Sequence, residues 1–157
     1  MGEPILEPVR IPFEAPAQSD VYDINIGGSQ LTIGAVSMGN PHAVSIVENL
    51  NELDLELIGP QVEHHPRFPN RVNAGFMQIT SQQAVQLRVF ERGVGETLAC
   101  GTGACAAVVS GQIRGLLAQK VTVDLPGGQL IVEWEGLGKP VMMTGPATTV
   151  FHGQIRL

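Results

Sequence analysis

Apolar and polar positions alternate through much of this chain at a period of two, the pattern of strands that bury one face. Val21, Tyr22, Ile24 and Ile26 run up to Gly27-Gly28-Ser29, and Leu31, Ile33 and Ala35 alternate beyond it. Two such runs around a short glycine turn predict a hairpin. Residues 43–47 form a third apolar run. Residues 74–80 and 84–90 predict two further strands, with Val85, Leu87 and Val89 alternating cleanly. Residues 121–125 and 129–134 flank Pro126-Gly127-Gly128, a second hairpin signal, and strand-like runs follow at 139–143, 148–151 and 154–157. Pro4, Pro8, Pro12 and Pro16 predict an extended arm before the first hairpin. Residues 53–62 predict a short helix interrupted at Gly59-Pro60, and residues 64–69 a loop.

One segment breaks the period. Residues 102–117 begin Thr-Gly-Ala-Cys-Ala-Ala-Val-Val, with small apolar residues on every side of the first two turns. A helix that is apolar all round is buried all round, and Ala, Gly and Ser let strands approach it closely. About nine strands and one well-marked helix, at about 101–115, predict an α+β fold. The simplest arrangement is an antiparallel or mixed, β-barrel-like sheet wrapped around a buried central helix.

Composition narrows the function classes. The chain has 157 residues, 43% apolar and 15% charged, which is enough to build one domain with its own core. Aromatics are only 4%, so Val, Ile, Leu and Ala must fill that core. A net charge of −6 with nine scattered Lys and Arg argues against a nucleic-acid partner. No apolar stretch approaches the roughly 18 residues of a membrane helix, so no membrane partner is expected. Met1-Gly2-Glu3-Pro4 shows no signal-peptide pattern, and a cytoplasmic location is expected. The two cysteines, Cys100 and Cys105, lie roughly 140° apart around a helix axis, too divergent for a bridge, which fits a reducing compartment.

The richest candidate chemistry lies in Glu91-Arg92-Gly93-Val94-Gly95-Glu96-Thr97-Leu98-Ala99-Cys100-Gly101-Thr102-Gly103. A charged pair ends a strand, a glycine-rich turn follows, and Cys100 stands at the start of the buried helix. Free N–H groups and the positive end of the helix dipole meet there. That position is expected to lower the Cys100 pKa toward a thiolate, and Gly101 and Thr102 to hold a carboxylate. A thiolate beside a bound carboxylate suits proton abstraction at the adjacent carbon. A plain packing role for Cys100 stays open on this reading, and Cys105, deeper in the helix, reads as inert. No GxxxxGK[ST] is present, and Ala106 spoils a GxGxxG reading of Gly101 and Gly103. Met38-Gly39-Asn40-Pro41-His42 reads either as a turn or as a site, with Asn40 bonding an amino-acid-like ligand and His42 moving a proton. Asn70-Arg71-Val72-Asn73-Ala74-Gly75 reads as a polar loop or as a second contact. The four histidines have no metal-ligand spacing, and no metal is expected.

Together these clusters resemble the C-terminal half of diaminopimelate epimerase. The matching residues are Met38-Gly39-Asn40-Pro41-His42, Arg67-Phe68-Pro69, Arg71-Val72-Asn73-Ala74-Gly75-Phe76, Glu91-Arg92-Gly93 with Gly95-Glu96-Thr97, Ala99 through Cys105, and Asp124-Leu125-Pro126-Gly127-Gly128. The resemblance runs along the whole chain. It implies a cofactor-independent isomerase of lysine and peptidoglycan precursor biosynthesis that interconverts LL- and meso-diaminopimelate. In that family two cysteines face opposite sides of the α-carbon, one removing the proton and the other returning it. The resemblance implies that Cys100 is the acid/base of this half, assisted near the reacting centre by Glu91 and His42. Gly101 and Thr102 would hold the α-carboxylate, and Asn40, Asn73 and Arg92 would bind substrate, chiefly at its distal end.

Family members are nearly twice as long, and their first half carries the other cysteine. The chain therefore reads as a piece of a longer protein, with Met1 matching an internal methionine. The expected partners are diaminopimelate, the N-terminal half of the same enzyme, and a second copy in a homodimer. Residues 1–146 would form the epimerase domain, and 147–157 would be tail strands crossing back to the missing half. Two alternatives are a racemase or isomerase of the same superfamily with another substrate, and a non-catalytic binding or assembly domain.

Overall fold

The computed structural model describes residues 1–156. Nine strands and two α-helices follow in the order β1 (Tyr22–Ile26), β2 (Ser29–Ser37), β3 (Pro41–Ile46), α1 (Leu55–Glu63), β4 (Asn73–Ser81), β5 (Ala84–Glu91), β6 (Gly95–Thr97), α2 (Gly101–Ile113), β7 (Lys120–Leu125), β8 (Gly128–Glu133) and β9 (Met142–Thr144). They make one mixed sheet, ordered β1-β2-β3-β4-β5-β7-β8-β9 with β6 also on β5. The β3–β4 and β5–β7 pairs are parallel, and each has a helix in its connection. The other pairs are antiparallel, including the hairpins through Gly27-Gly28 and Pro126-Gly127.

Period two sorts the sheet's side chains into two cores. Val36, Val44, Met77, Val85, Leu87 and Val89 face α2, whereas Ile33, Ala43, Ala74, Phe76 and Phe90 face α1 and the N-terminal arm. Gly103 through Gly111 of α2 are all buried. Small residues make that seat possible, since a Cβ at Gly34 would run into the Ser110 side chain. Full burial of Val108 and Val109 contributes about 1.5–3 kcal/mol each.

The expected arm is extended only in part, since Pro8–Arg10 wind into one turn of 3-10 helix with proline at its start, and the arm ties the sheet's two ends together. Ile5 bridges to Ser37 at the end of β2, and Val141, just before β9, donates to the Gly2 carbonyl at 2.8 Å. Arg67 clamps the arm as well. Its guanidinium lies 4.4 Å from the Phe13 ring centre and donates to the Glu14 and Asp23 carbonyls, and Phe13 stacks on Phe68 at 4.5 Å. Arg67-Phe68-Pro69 is thus a fastener on the outer face.

Several expectations need correction. The helix predicted over 53–62 is not interrupted at Gly59-Pro60: α1 runs through both. Asp54 caps its N-terminus by accepting the Leu57 N–H at 3.1 Å. The carbonyl that Pro60 leaves without a helical donor belongs to Glu56, which is exposed, so water can serve it. The run at 139–143 pairs only from Met142, because Pro140 offers no N–H to a ladder. The three-residue strand β6, inside the segment expected to be only a turn, was not anticipated. The tail strands at 148–151 and 154–157 do not form among the described residues. There 145–156 make no strand pairs and Val150, Phe151 and Ile155 are exposed; Leu157 lies outside the described residues.

Candidate functional site

Three chain segments bring the candidate residues to the N-terminal end of α2. The turn between β2 and β3 supplies Asn40 and the start of β3 His42, the start of β4 supplies Asn73, and the end of β5 supplies Glu91 with Arg92 just beyond it. Cys100 is the N-cap residue of α2, with extended backbone (φ −135°, ψ 102°), followed by Gly101 and Thr102 in the first turn. The first N–H groups of a helix lack intrahelical acceptors, so this end offers donors to an anion.

Polar contacts knit these residues together. The Cys100 sulfur lies 3.8 Å from Thr102 Oγ1, which accepts from Asn40 Nδ2 at 3.3 Å. Asn40 Oδ1 lies 3.1 Å from His42 Nε2. Asn73 accepts the Arg92 N–H at 2.9 Å and donates to the Pro41 carbonyl at 2.9 Å, so its amide is engaged at both ends. Arg92 is exposed and donates to the Asn70 carbonyl at 3.1 Å. Across the β5–β6 ladder, Thr97 donates to Glu91 at 2.6 Å. All the sequence-predicted site residues therefore meet in one neighbourhood. Cys105 lies apart, fully buried within α2.

The electrostatics correct one expectation. Cys100 is not driven toward thiolate: burial pushes its pKa up and the nearby Glu91 carboxylate adds to this, against the Gly103 N–H and the Thr102 hydroxyl. Its side chain is sealed by the helix start and the β5 end, and desolvation of a charge outweighs the helix's partial charge. Cys100 is thus a thiol at neutral pH. Burial pushes Cys105 further, up to about 11. His42 is pushed down to about 4, by burial first and by Arg92 next, and is a neutral imidazole at neutral pH.

Two contributors were missed. Glu63, at the end of α1, is buried and accepts the Gly93 N–H at 2.8 Å, with Arg71 at 3.7 Å. It thereby holds the turn that follows Glu91-Arg92. The helix expected over 53–62 stopped one residue short of it. Thr97 sat inside the glycine-rich motif, and only the β6 pairing reveals its contact. Among the described residues, no group of three or more His, Cys, Asp or Glu is placed to hold a metal ion.

A sequence model of the family described as Diaminopimelate epimerase matches residues 34–150. A diaminopimelate epimerase of Teredinibacter turnerae is 61% identical over all 157 residues, which cover 57% of that protein. One of Alkalilimnicola ehrlichii is 57% identical over the whole chain, covering 56% of its length. The chain thus spans just over half the length of the curated relatives it matches. Among solved structures, a hydroxyproline epimerase from Agrobacterium vitis with bound trans-4-OH-L-proline aligns with a TM-score of 0.56 at 17% identity. That alignment covers 78% of this chain and 43% of that one, and at this identity it speaks for the fold alone.

Proposed function

The chain belongs to the diaminopimelate epimerase family, and we propose that it supplies one half of a site that epimerises LL-diaminopimelate to meso-diaminopimelate without a cofactor. The observation that carries this reading is the placement of a buried thiol, Cys100, at a helix start. There Asn40, His42, Asn73, Glu91 and Arg92 converge from three other segments.

In this reading, the Gly101 and Thr102 N–H groups receive the substrate's α-carboxylate, where the helix end favours negative charge. Asn40, Asn73 and Arg92 bind the rest of the substrate. Cys100 starts as a thiol, because burial and Glu91 favour the neutral form. A base on the opposite face removes the α-proton, and the Cys100 S–H returns a proton from its own face, leaving a thiolate. In the reverse direction that thiolate is the base. Glu91 and His42 adjust the proton's passage. The second acid/base, by this reading another cysteine, comes from a complementary half. That half also shuts out water.

The test is solvent deuterium incorporation at the α-carbon of diaminopimelate. The 157-residue chain is assayed alone and with the N-terminal half of a close relative. Exchange that requires both halves and is abolished by Cys100→Ala is expected. Equal exchange by the chain alone would contradict the two-face scheme. Binding without any exchange in the complemented protein would favour a purely binding role.

A further inference from the structure

Three polar side chains form one line into the Cys100 thiol. His42 Nε2 lies 3.1 Å from Asn40 Oδ1, Asn40 Nδ2 lies 3.3 Å from Thr102 Oγ1, and Thr102 Oγ1 lies 3.8 Å from Cys100 Sγ. Distances alone allow two polarities. In the first, His42 Nε2–H donates to the Asn40 oxygen and Asn40 donates to the Thr102 oxygen. The Thr102 hydrogen is then free to point at sulfur. In the second, the Asn40 amide is turned over. It takes the Thr102 hydrogen and donates to a bare His42 Nε2, and the imidazole proton sits on Nδ1.

His42 Nδ1 decides between them. The residue is 1% exposed, and this nitrogen has no hydrogen-bond partner among the described residues. In the second polarity it would be an orphaned buried N–H; in the first it is a bare lone pair. Orphaned buried donors are rarer than under-satisfied acceptors. A donor stripped of water and left unpaired carries a full desolvation cost. The first polarity is therefore the stable one. Burial and Arg92 keep the imidazole neutral, so the choice of tautomer applies at neutral pH.

We propose that Thr102 donates its hydroxyl hydrogen to the Cys100 sulfur, and that His42 and Asn40 are positioning residues that aim it, so that the thiolate is met by a directed hydrogen bond when Cys100 gives up its proton. This deepens the proton-transfer reading, in which Cys100 must visit the thiolate once per turnover. The hydrogen bond strengthens as charge develops on sulfur, because charge-assisted bonds are about twice as strong as neutral ones. Glu91 is the charged group facing the sulfur and acts the opposite way, and Cys105 is the other titratable group on α2. Arg92 is the charged group facing His42.

The test is an NMR titration of the chain carrying 13C at cysteine Cβ, which follows each thiol separately and needs neither substrate nor access to the sulfur. Thr102→Val should raise the Cys100 midpoint by about one unit, a tenfold fall in thiolate at fixed pH. Thr102→Ser, which keeps the hydroxyl, should move it little, and Cys105 should not move in either. His42→Leu frees Asn40 to turn over. It should raise the Cys100 midpoint on its own and add nothing in the Thr102→Val background. An unmoved Cys100 midpoint in folded Thr102→Val overturns the proposal, as does an equal rise in Thr102→Ser or an equal rise at Cys105. Should Thr102→Val not fold, His42→Leu decides alone, and no rise there overturns the proposal. Because no turnover is measured, failure here stays separate from failure of the epimerase reading, which deuterium exchange tests.

Discussion

Asn73 holds Arg92 through its backbone: the Asn73 side-chain oxygen accepts the Arg92 N–H at 2.9 Å, while the same amide donates to the Pro41 carbonyl at 2.9 Å. One buried side chain therefore sets the spacing between the start of β3 and the end of β5. Asn73→Ala leaves both backbone groups unpaired and should cost about 1–3 kcal/mol. Asn73→Asp keeps the acceptor, loses the donor and buries a charge, so it should cost more. Urea unfolding at constant m-value reads both. An unchanged midpoint for Asn73→Ala would mean that the two loops are held by something else.

Cys100 and Cys105 should differ in reactivity. Both thiols are pushed up by burial, Cys105 to about 11. Cys105 is also wholly enclosed within α2, whereas Cys100, at the start of that helix, keeps 4% exposure. Iodoacetamide labelling with peptide mapping should modify Cys100 first at every pH, with a rate that rises with pH. Glu91 raises the Cys100 pKa, so Glu91→Gln should move the labelling profile to lower pH. Preferential labelling of Cys105, or a shift to higher pH in Glu91→Gln, would contradict this electrostatic picture.

Gly59 is packed against Phe90. A Cβ at Gly59 would come within 2.5 Å of the ring and 2.9 Å of the Phe90 Cβ, which cannot swing away. Ala is favoured over Gly in a helix interior by about 1 kcal/mol. Overpacking a filled core costs about 1–3 kcal/mol and should win here, because the clash reaches an atom fixed to the backbone of β5. Gly59→Ala should therefore lower the melting temperature. Phe90→Leu keeps the Cβ that Gly59→Ala meets at 2.9 Å, so the loss should persist in the double variant. A raised melting temperature in Gly59→Ala would show that α1 can slide on the sheet.

Elements that carry their own periodicity were legible in the sequence. Val85, Leu87 and Val89 announce β5, and the run from Ala104 to Val109 announces a helix buried on all sides. Cys100 was legible as a helix-start thiol because the glycine-rich turn ends just before that helix. What the sequence hid depends on distant neighbours. The direction of the Cys100 shift follows from enclosure and from Glu91, nine residues earlier at the end of β5. Strand β6 is only three residues long and exists because Val89, Phe90 and Glu91 offer it an edge. Pro60 reads as a helix breaker locally, yet the carbonyl it leaves free faces water. Glu63 is a charged residue that sequence patterning assigns to the surface, and its burial is explained by the Gly93 N–H and Arg71 at one carboxylate oxygen and His64 at the other.

Burial of neutral His42 should appear as an acid-dependent loss of stability. Its pKa is about 4 in the folded chain and 6.5 when unperturbed, so between those values the unfolded chain binds more protons. Stability that is fully present above about pH 6.5 is then lost as pH falls, and the loss levels off below about pH 4. A shift of this size corresponds to about 3 kcal/mol across the window. His65 is also pushed down, by burial first and Arg67 next, and Glu96 is held low chiefly by its hydrogen bonds from Arg88. Some acid sensitivity therefore belongs to other groups, and the contribution of His42 is read as a difference. Urea unfolding of the native chain and of His42→Leu at about pH 7 and about pH 4.5 supplies it. His42→Leu should be the less stable at neutral pH, where it loses the bond to Asn40, but its drop on acidification should be smaller by about 2–3 kcal/mol. Equal drops in the two proteins would mean that His42 is protonated in the folded chain well above pH 4.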